Sequence, residues 1–328
     1  MRGTFFIVGP TATGKSELAA DVASEIGAEI VSTDAFQIYR GLDLLTAKPD
    51  VSTLAKAPHH LIGTLSLHEE MNVEKYRRAA LCVIGEIHSR GKVAIVVGGS
   101  GLYIKALTHG LSPLPGSDPK LREKLNAMSL DELRSRLIEL ESEAAGKIDM
   151  KNRRRVVRAL EICLLTGKPA SAQRDQWPVA ASLGEARRTR VMASPRGSSH
   201  SEAAPGVFVF RDREELYARI NQRVEAMFEN GVIEEVRAAG QVSATASQMI
   251  GFREIHQLLN GKITITQCVV AIQQATRRYA KRQLTWFRRQ TNFSPLNLSL
   301  LTHNEAVNWI FLRMRSECRK VSDVRAKG

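Results

Sequence analysis

This chain has no apolar run of membrane-spanning length, no cysteine pairs, and few acids in its second half. None of its 328 residues lies in a stretch approaching the roughly 18–20 uninterrupted apolar residues that cross a bilayer. Its four cysteines, Cys82, Cys163, Cys268 and Cys318, stand apart without C-x-x-C spacing. That excludes a disulfide framework or a zinc ribbon and reads as thiols in a reducing compartment. Its eight histidines form no metal-ligand pattern, and the His59-His60 pair cannot share a helix face or a strand face. No charged-then-apolar leader precedes the first strand-like run. The expectation is a cytoplasmic protein, not associated with membrane, and monomeric. At 43% hydrophobic the chain can bury a full core as one large or two modest domains.

The shortage of acids is regional. Residues 1–150 carry 17 basic and 19 acidic side chains, a net of −2, whereas residues 151–328 carry 30 and 15, a net of +15. Basic surface at that density points to a polyanionic partner.

What is present near the start is the segment Gly9-Pro10-Thr11-Ala12-Thr13-Gly14-Lys15-Ser16. It has the form G-x-x-x-x-G-K-S, follows the apolar run Phe5-Phe6-Ile7-Val8 and precedes a helix-forming stretch from Glu17. A strand–loop–helix in that order aims backbone N–H groups and a helix N-terminus at phosphate oxygens. Lys15 would neutralise the outer phosphate, and the Ser16 hydroxyl would ligate Mg²⁺. The segment therefore binds a diphosphate or a triphosphate.

Strand-like runs at 5–9, 28–33, 93–97 and 207–210, the first three separated by amphipathic helices such as 72–90, imply an α/β fold. Its core is a P-loop NTPase-like parallel sheet, and ligands sit beyond the strand C-termini. From Ser112-Pro113-Leu114-Pro115-Gly116 the pattern turns helical, at about 118–127, 130–142 and 151–166. Residues 114–203 are expected as a mostly helical insertion domain contacting RNA. Residues 1–113 and 204–316 make the catalytic core with its helical C-terminal part, and 317–328 a basic tail.

The second strand ends in Thr33-Asp34, which places a carboxylate beside the phosphate loop. The strand at 93–97 ends in Gly98-Gly99-Ser100-Gly101, where many nucleoside triphosphatases carry an Mg²⁺-holding acid. Asp34 is thus read as a general base, with an outer-shell Mg²⁺ ligand or a helix cap as the competing roles. Ser100 offers a hydroxyl on a turn open to close approach. Arg213 and Arg219 could clamp a leaving phosphate, or pair with neighbouring glutamates. Between 277 and 289, Arg277, Arg278, Lys281, Arg282, Arg288 and Arg289 share an arc of roughly 140°, opposite Tyr279, Ala280, Leu284, Trp286 and Phe287, which are read as core. No acid interrupts that stretch. Arg154, Arg155 and Arg158 form a second basic face opposite Val156, Val157, Leu160 and Leu164. Two such faces fit an extended RNA better than a metabolite.

In these motifs the sequence resembles the tRNA dimethylallyltransferases. The resemblance covers most of residues 4–290: the glycine-rich loop, Ser32 to Asp43, Thr46-Ala47-Lys48-Pro49, Pro58 to Ile62, Gly98 to Tyr103, Arg158-Ala159-Leu160-Glu161, Ile250 to Glu254, and Thr276 to Phe287. It implies transfer of a dimethylallyl group from dimethylallyl diphosphate to N6 of the adenosine 3′ to a tRNA anticodon, with the loop holding diphosphate and not ATP. Family positions that touch the tRNA fall here on Asp34, Ala35, Phe36, Gln37, Ser100, Arg122, Arg154, Arg155, Val156, Val157 and Arg158. The charge pattern adds Arg277, Lys281 and Arg282. Ser-Thr-Asp-Ala-Phe-Gln departs from the family's frequent Ser-Ala-Asp-Ser-x-Gln, Ser100 stands where threonine is usual, and 172–206 matches poorly. The lack of a C-terminal zinc finger suggests the bacterial type. Competing readings are a small-molecule P-loop transferase, either an adenine-nucleotide isopentenyltransferase or a metabolite kinase, and a non-enzymatic RNA-binding module.

Overall fold

The computed structural model describes residues 3–111, 114–143, 146, 148–174, 205–289 and 293–326. Two compact units divide the chain: residues 1–108 together with 186–328, and residues 109–185. The expected boundary at 203 and most of 172–206 lie outside the described residues.

The larger unit is built on a six-stranded parallel sheet in the order β3-β2-β4-β1-β5-β6. Its strands are β1 (Gly3–Val8), β2 (Glu29–Ser32), β3 (His59–His60), β4 (Val93–Gly98), β5 (Gly206–Phe210) and β6 (Ser294–Asn297). β1 and β4 run in register from Gly3↔Val93 to Val8↔Gly98. Their unbroken apolar runs match strands covered on both faces. On one face Phe5, Ile7, Ile95 and Val207 pack with α1 (Lys15–Ile26) and with Val307 and Ile310 of the last helix, His303–Ala326. Phe6 and Phe208 instead meet the rings of Phe293 and Phe287. Period-2 alternation along each strand thus sorts side chains between two helical layers. The last helix continues through the segment expected as a tail, as far as Ala326.

β3 and β6 were not expected, and β6 is a strand within the C-terminal part expected to be almost entirely helical. β3 has two residues and β6 contains Pro295. Proline suits an edge strand, which β6 is, and neither run is long enough to show a period.

Between β2 and β4 come α2 (Val51–Lys56) and α3 (Val73–Ser89), the latter capped by Asn72, whose side chain accepts from Lys75 N. α4 (Gly101–His109) follows β4. The smaller unit holds α5 (Pro119–Ala127), α6 (Leu130–Leu140), α7 (Arg153–Thr166) and α8 (Ala170–Arg174). A core of Leu125, Leu133, Leu137, Val156, Leu160 and neighbours joins them. After β5 the chain returns through α9 (Arg213–Glu229), α10 (Val232–Ala239), α11 (Phe252–Leu259) and the 25-residue α12 (Ile265–Arg289).

Glu29, at the start of β2, is a buried carboxylate surrounded by Arg90, Lys92 and the His60 ring. Arg90 Nη2 lies 2.6 Å and His60 Nε2 2.8 Å from its Oε2, and Lys92 Nζ 3.0 Å from Oε1. The Arg90 hydrogen bond leads in pulling its pKa from 4.5 down to about 2, against the opposing effect of burial. A depressed carboxylate adds stability that is complete above pH 4.5 and drains away as pH falls toward about 2. With Arg90 and Lys92 partly solvated, the contribution is about 2–3 kcal/mol. Urea denaturation as a function of pH should therefore show an acid limb over that window, and Glu29→Gln should flatten it.

Candidate active site

At the C-terminal edge of the sheet lies a cleft of about 560 Å³, with Lys15, Ser16, Asp34, Gln37, Arg219 and Arg223 in its lining. β1 delivers the chain to Gly9, where a methyl group would stand 2.1 Å from the Val209 carbonyl oxygen, so no side chain fits. Gly14, with φ of +89°, makes the left-handed step into α1. Within the loop Thr13 Oγ1 and Lys15 Nζ both donate to the Pro10 carbonyl, at 3.0 and 3.1 Å.

Three arginines hold this loop from β5 and α9. Arg211 Nε donates to Thr13 O, Arg219 Nε to Ala12 O and Arg223 Nη1 to Thr11 Oγ1, each at 2.9 Å. Burial draws Lys15 down to about 8; Asp34 opposes that shift and Arg223 adds to it. Burial likewise draws Arg223 down to about 10, with Asp34 opposing and Arg219 adding. Arg223 Nε is buried with no hydrogen-bond partner among the described residues. Crowded cations, one with an idle buried donor, make a site that an anion completes.

Asp34 follows β2 directly. Its Oδ1 accepts from Phe36 N at 2.9 Å and Gln37 N at 3.3 Å, an Asx turn that fixes the carboxylate's orientation. Oδ2 receives no hydrogen bond among the described residues. No helix follows Asp34 before Val51, so in place of the helix cap considered for it Asp34 closes a turn, with one oxygen only. Gln37 Nε2 donates to Ala47 O at 2.9 Å, pinning the loop that follows. Ser100 Oγ accepts from Ala35 N at 3.1 Å, which ties the turn after β4 to the Asp34 loop. Tyr279 lies near this turn, its phenol pushed up chiefly by burial and then by the Asp34 charge.

Among the residues singled out in the sequence, the glycine-rich loop, Asp34, Ser100, Gln37 and Arg219 come together; Ala35 and Phe36 are half-buried beside them. Arg213 does not join them. It is exposed, its guanidinium 5.2 Å from the Tyr217 ring. Residues six apart on a helix point about 120° apart, whereas Arg219 and Arg223, four apart, differ by about 40°. That i, i+4 spacing was the available signal for Arg223. Arg211, just ahead of the helix, pairs with Glu215 four residues on at 2.5 Å, and its reach to the loop had no signal because it ends on a backbone carbonyl.

On α12, Arg278, Lys281, Arg282, Arg288 and Arg289 are exposed as expected, while Arg277 is half-buried, its Nε 3.1 Å from Asn221 Oδ1. Ala280 and Phe287 are core; Tyr279 and Trp286 are not. They are half-buried, and Trp286 packs so closely on Gly101 that a methyl there would stand 2.6 Å from its ring.

In the smaller unit, Val156 and Val157 are core residues, 0% and 6% exposed, so their side chains cannot meet a tRNA. Arg122 and Arg158 converge on the fully buried Glu161, at 3.1 and 2.5 Å, and Arg158 Nη2 also donates to Pro115 O at 2.6 Å. Both are committed to the unit's own structure. Arg154 and Arg155 are exposed.

The chain is similar to known proteins over most of its length. The family model described as IPP transferase matches residues 37–290. The chain is 41% identical over 288 residues to tRNA dimethylallyltransferase 1 of Citrifermentans bemidjiense, covering 87% of this chain and 88% of that one. Identity is also 41% over 288 residues with the tRNA dimethylallyltransferase of Akkermansia muciniphila, covering 88% and 90%. The crystal structure of the tRNA isopentenylpyrophosphate transferase of Bacillus halodurans superposes with a TM-score of 0.69 at 30% identity, covering 99% of this chain and 100% of that one.

The Glu161 cluster separates structural arginines from free ones. Arg158→Ala should cost about 1–3 kcal/mol, since it strips a buried carboxylate of a charged partner. Arg154→Ala should stay within about 0.5 kcal/mol of the parent. Urea denaturation of the two variants checks the difference.

Proposed function

The chain belongs to the IPP transferase family, and from that premise we propose that it moves a dimethylallyl group from dimethylallyl diphosphate to N6 of the adenosine 3′ to a tRNA anticodon. The observation that carries this reading is the crowd of cations around the glycine-rich loop, with Asp34 as the carboxylate that acts on Lys15 and Arg223. An ATP-hydrolysing P-loop protein would need an acid after β4, and Gly98 to Gly101 offers none. The exposed arginines and lysine of α12, with no acid among them, support a polyanionic acceptor over a free nucleotide.

The exocyclic amine of adenine is a poor nucleophile, because its lone pair is shared with the ring. In the proposed reaction N6 attacks C1 of the prenyl group, the C1–O bond breaks with its electron pair going to diphosphate, and Asp34 Oδ2 takes the N6 proton. The adenine must first leave the anticodon-loop stack. Lys15, Arg219, Arg223 and the loop amides neutralise the charge gathering on the leaving diphosphate. The Ser16 hydroxyl lines the cleft at the start of α1, beside Lys15, and makes no hydrogen bond among the described residues. A hard oxygen donor there suits Mg²⁺ shared with phosphate oxygens. When bound, the ion would lower the charge on the leaving group. Ser100 holds the Asp34 loop against the turn after β4.

The direct test is nucleoside analysis of tRNA incubated with the protein and dimethylallyl diphosphate. N6-isopentenyladenosine is expected; its absence, with prenylated AMP or phosphorylated metabolites in its place, would overturn the assignment. Asp34→Asn should lower the single-turnover rate by roughly 10²–10⁴-fold with tRNA affinity nearly unchanged. Lys281→Ala should weaken tRNA binding and reduce the slope of log K against log salt by about one, the value for one lost phosphate contact.

A further inference from the structure

Gln283 sits on α12 and is only 6% exposed. Its Oε1 accepts from Thr11 N in the glycine-rich loop at 3.0 Å, and its Nε2 donates to Gly99 O in the turn after β4 at 2.9 Å. An N–H on one side and a carbonyl on the other leave only one orientation for the amide. Room has been made for it. A Cβ at position 99 would stand 2.2 Å from Gln283 Nε2 and 2.8 Å from Gly9 O. Beside this bridge Gly9 N donates to Gly98 O at 3.2 Å.

The two segments it joins carry opposite halves of the chemistry. The loop presents the groups for the leaving diphosphate; the turn presents Ser100, which is tied in turn to the Asp34 loop through Ala35 N. One helix therefore touches both sides. A buried amide is costly unless both ends are satisfied, so this pairing resists any change in the separation of loop and turn.

We propose that Gln283 is a positioning residue, whose side-chain amide holds the diphosphate loop and the Ser100 turn at the fixed distance that brings prenyl carbon and acceptor amine together. This rests on the prenyl-transfer reading above. A further consequence is that Thr11 N–H is spent on Gln283 and does not bind phosphate.

The test compares wild type, Gln283→Leu and Gln283→Glu in prenyl transfer to tRNA. Gln283→Leu, similar in size and unable to make either bond, should lower kcat about 10–100-fold. KM for dimethylallyl diphosphate and for tRNA should stay within about threefold of wild type. Gln283→Glu keeps the acceptor for Thr11 N and should recover part of the loss. An unchanged kcat in folded Gln283→Leu, or a raised KM with kcat preserved, would overturn the proposal. Hydrogen exchange on the wild-type protein tests it without variants. Thr11 N–H should be protected before any ligand is added, and inorganic diphosphate should add protection at Gly14, Lys15 and Ser16 but not at Thr11. A Thr11 amide that exchanges freely in the unliganded protein would contradict the bridge. Failure of the wild type to prenylate tRNA would instead sink the functional reading, while the exchange result would still stand or fall separately.

Discussion

Burying a cation without its anion is unfavourable, and the larger unit is organised around doing so at one place. Lys15 and Arg223 are drawn to about 8 and 10 by burial, and Asp34 opposes both shifts without matching their charge. Arg211 is lowered as well, by burial first and then by Arg219. The fold tolerates this because Arg211 pairs with Glu215 and the three arginines donate to loop carbonyls and a loop hydroxyl. These bonds stiffen the loop, while Lys15, Arg219 and Arg223 have no ion pair among the described residues. A multiply charged phosphate group relieves that imbalance in a way a neutral substrate cannot.

The parallel sheet supplies the frame. β1, β2, β4 and β5 end at one edge, so the loop after β1, Asp34 after β2, the Ser100 turn after β4 and Arg211 after β5 are brought together by topology alone. Their fine spacing is set by side chains: Ser100 to Ala35, and Gln283 to Thr11 and Gly99. In the proposed reaction this division of labour matters, since misplacement of about 1 Å between donor and acceptor can cost a hundredfold in rate.

Features written as contiguous motifs were legible in the sequence. The glycine-rich loop, the apolar runs of β1 and β4, Asp34 at a strand end and the acid-free stretch of α12 each carry their meaning within a dozen residues or so. What escaped depends on distant backbone. Arg211 and Arg223 find their loop partners 198 and 212 residues away, and Gln283 reaches Thr11 across 272. No local period reports such pairings, although a glutamine on the same face as the buried Ala280 and Phe287 was a visible irregularity. Arg213 was misread because proximity in sequence was taken for a shared face. Arg122 and Arg158 look like free positive charge until the buried Glu161 is seen between them. β3 and β6 were too short to announce themselves.

The central claim is that the loop grips a diphosphate as it departs from a prenyl carbon. Single-turnover release of labelled diphosphate from dimethylallyl diphosphate, followed with and without tRNA, tests it most directly. The account predicts one diphosphate released for each isopentenyladenosine formed, little release without tRNA, and no hydrolysis of added ATP. Consumption of ATP with the prenyl donor left intact would contradict it.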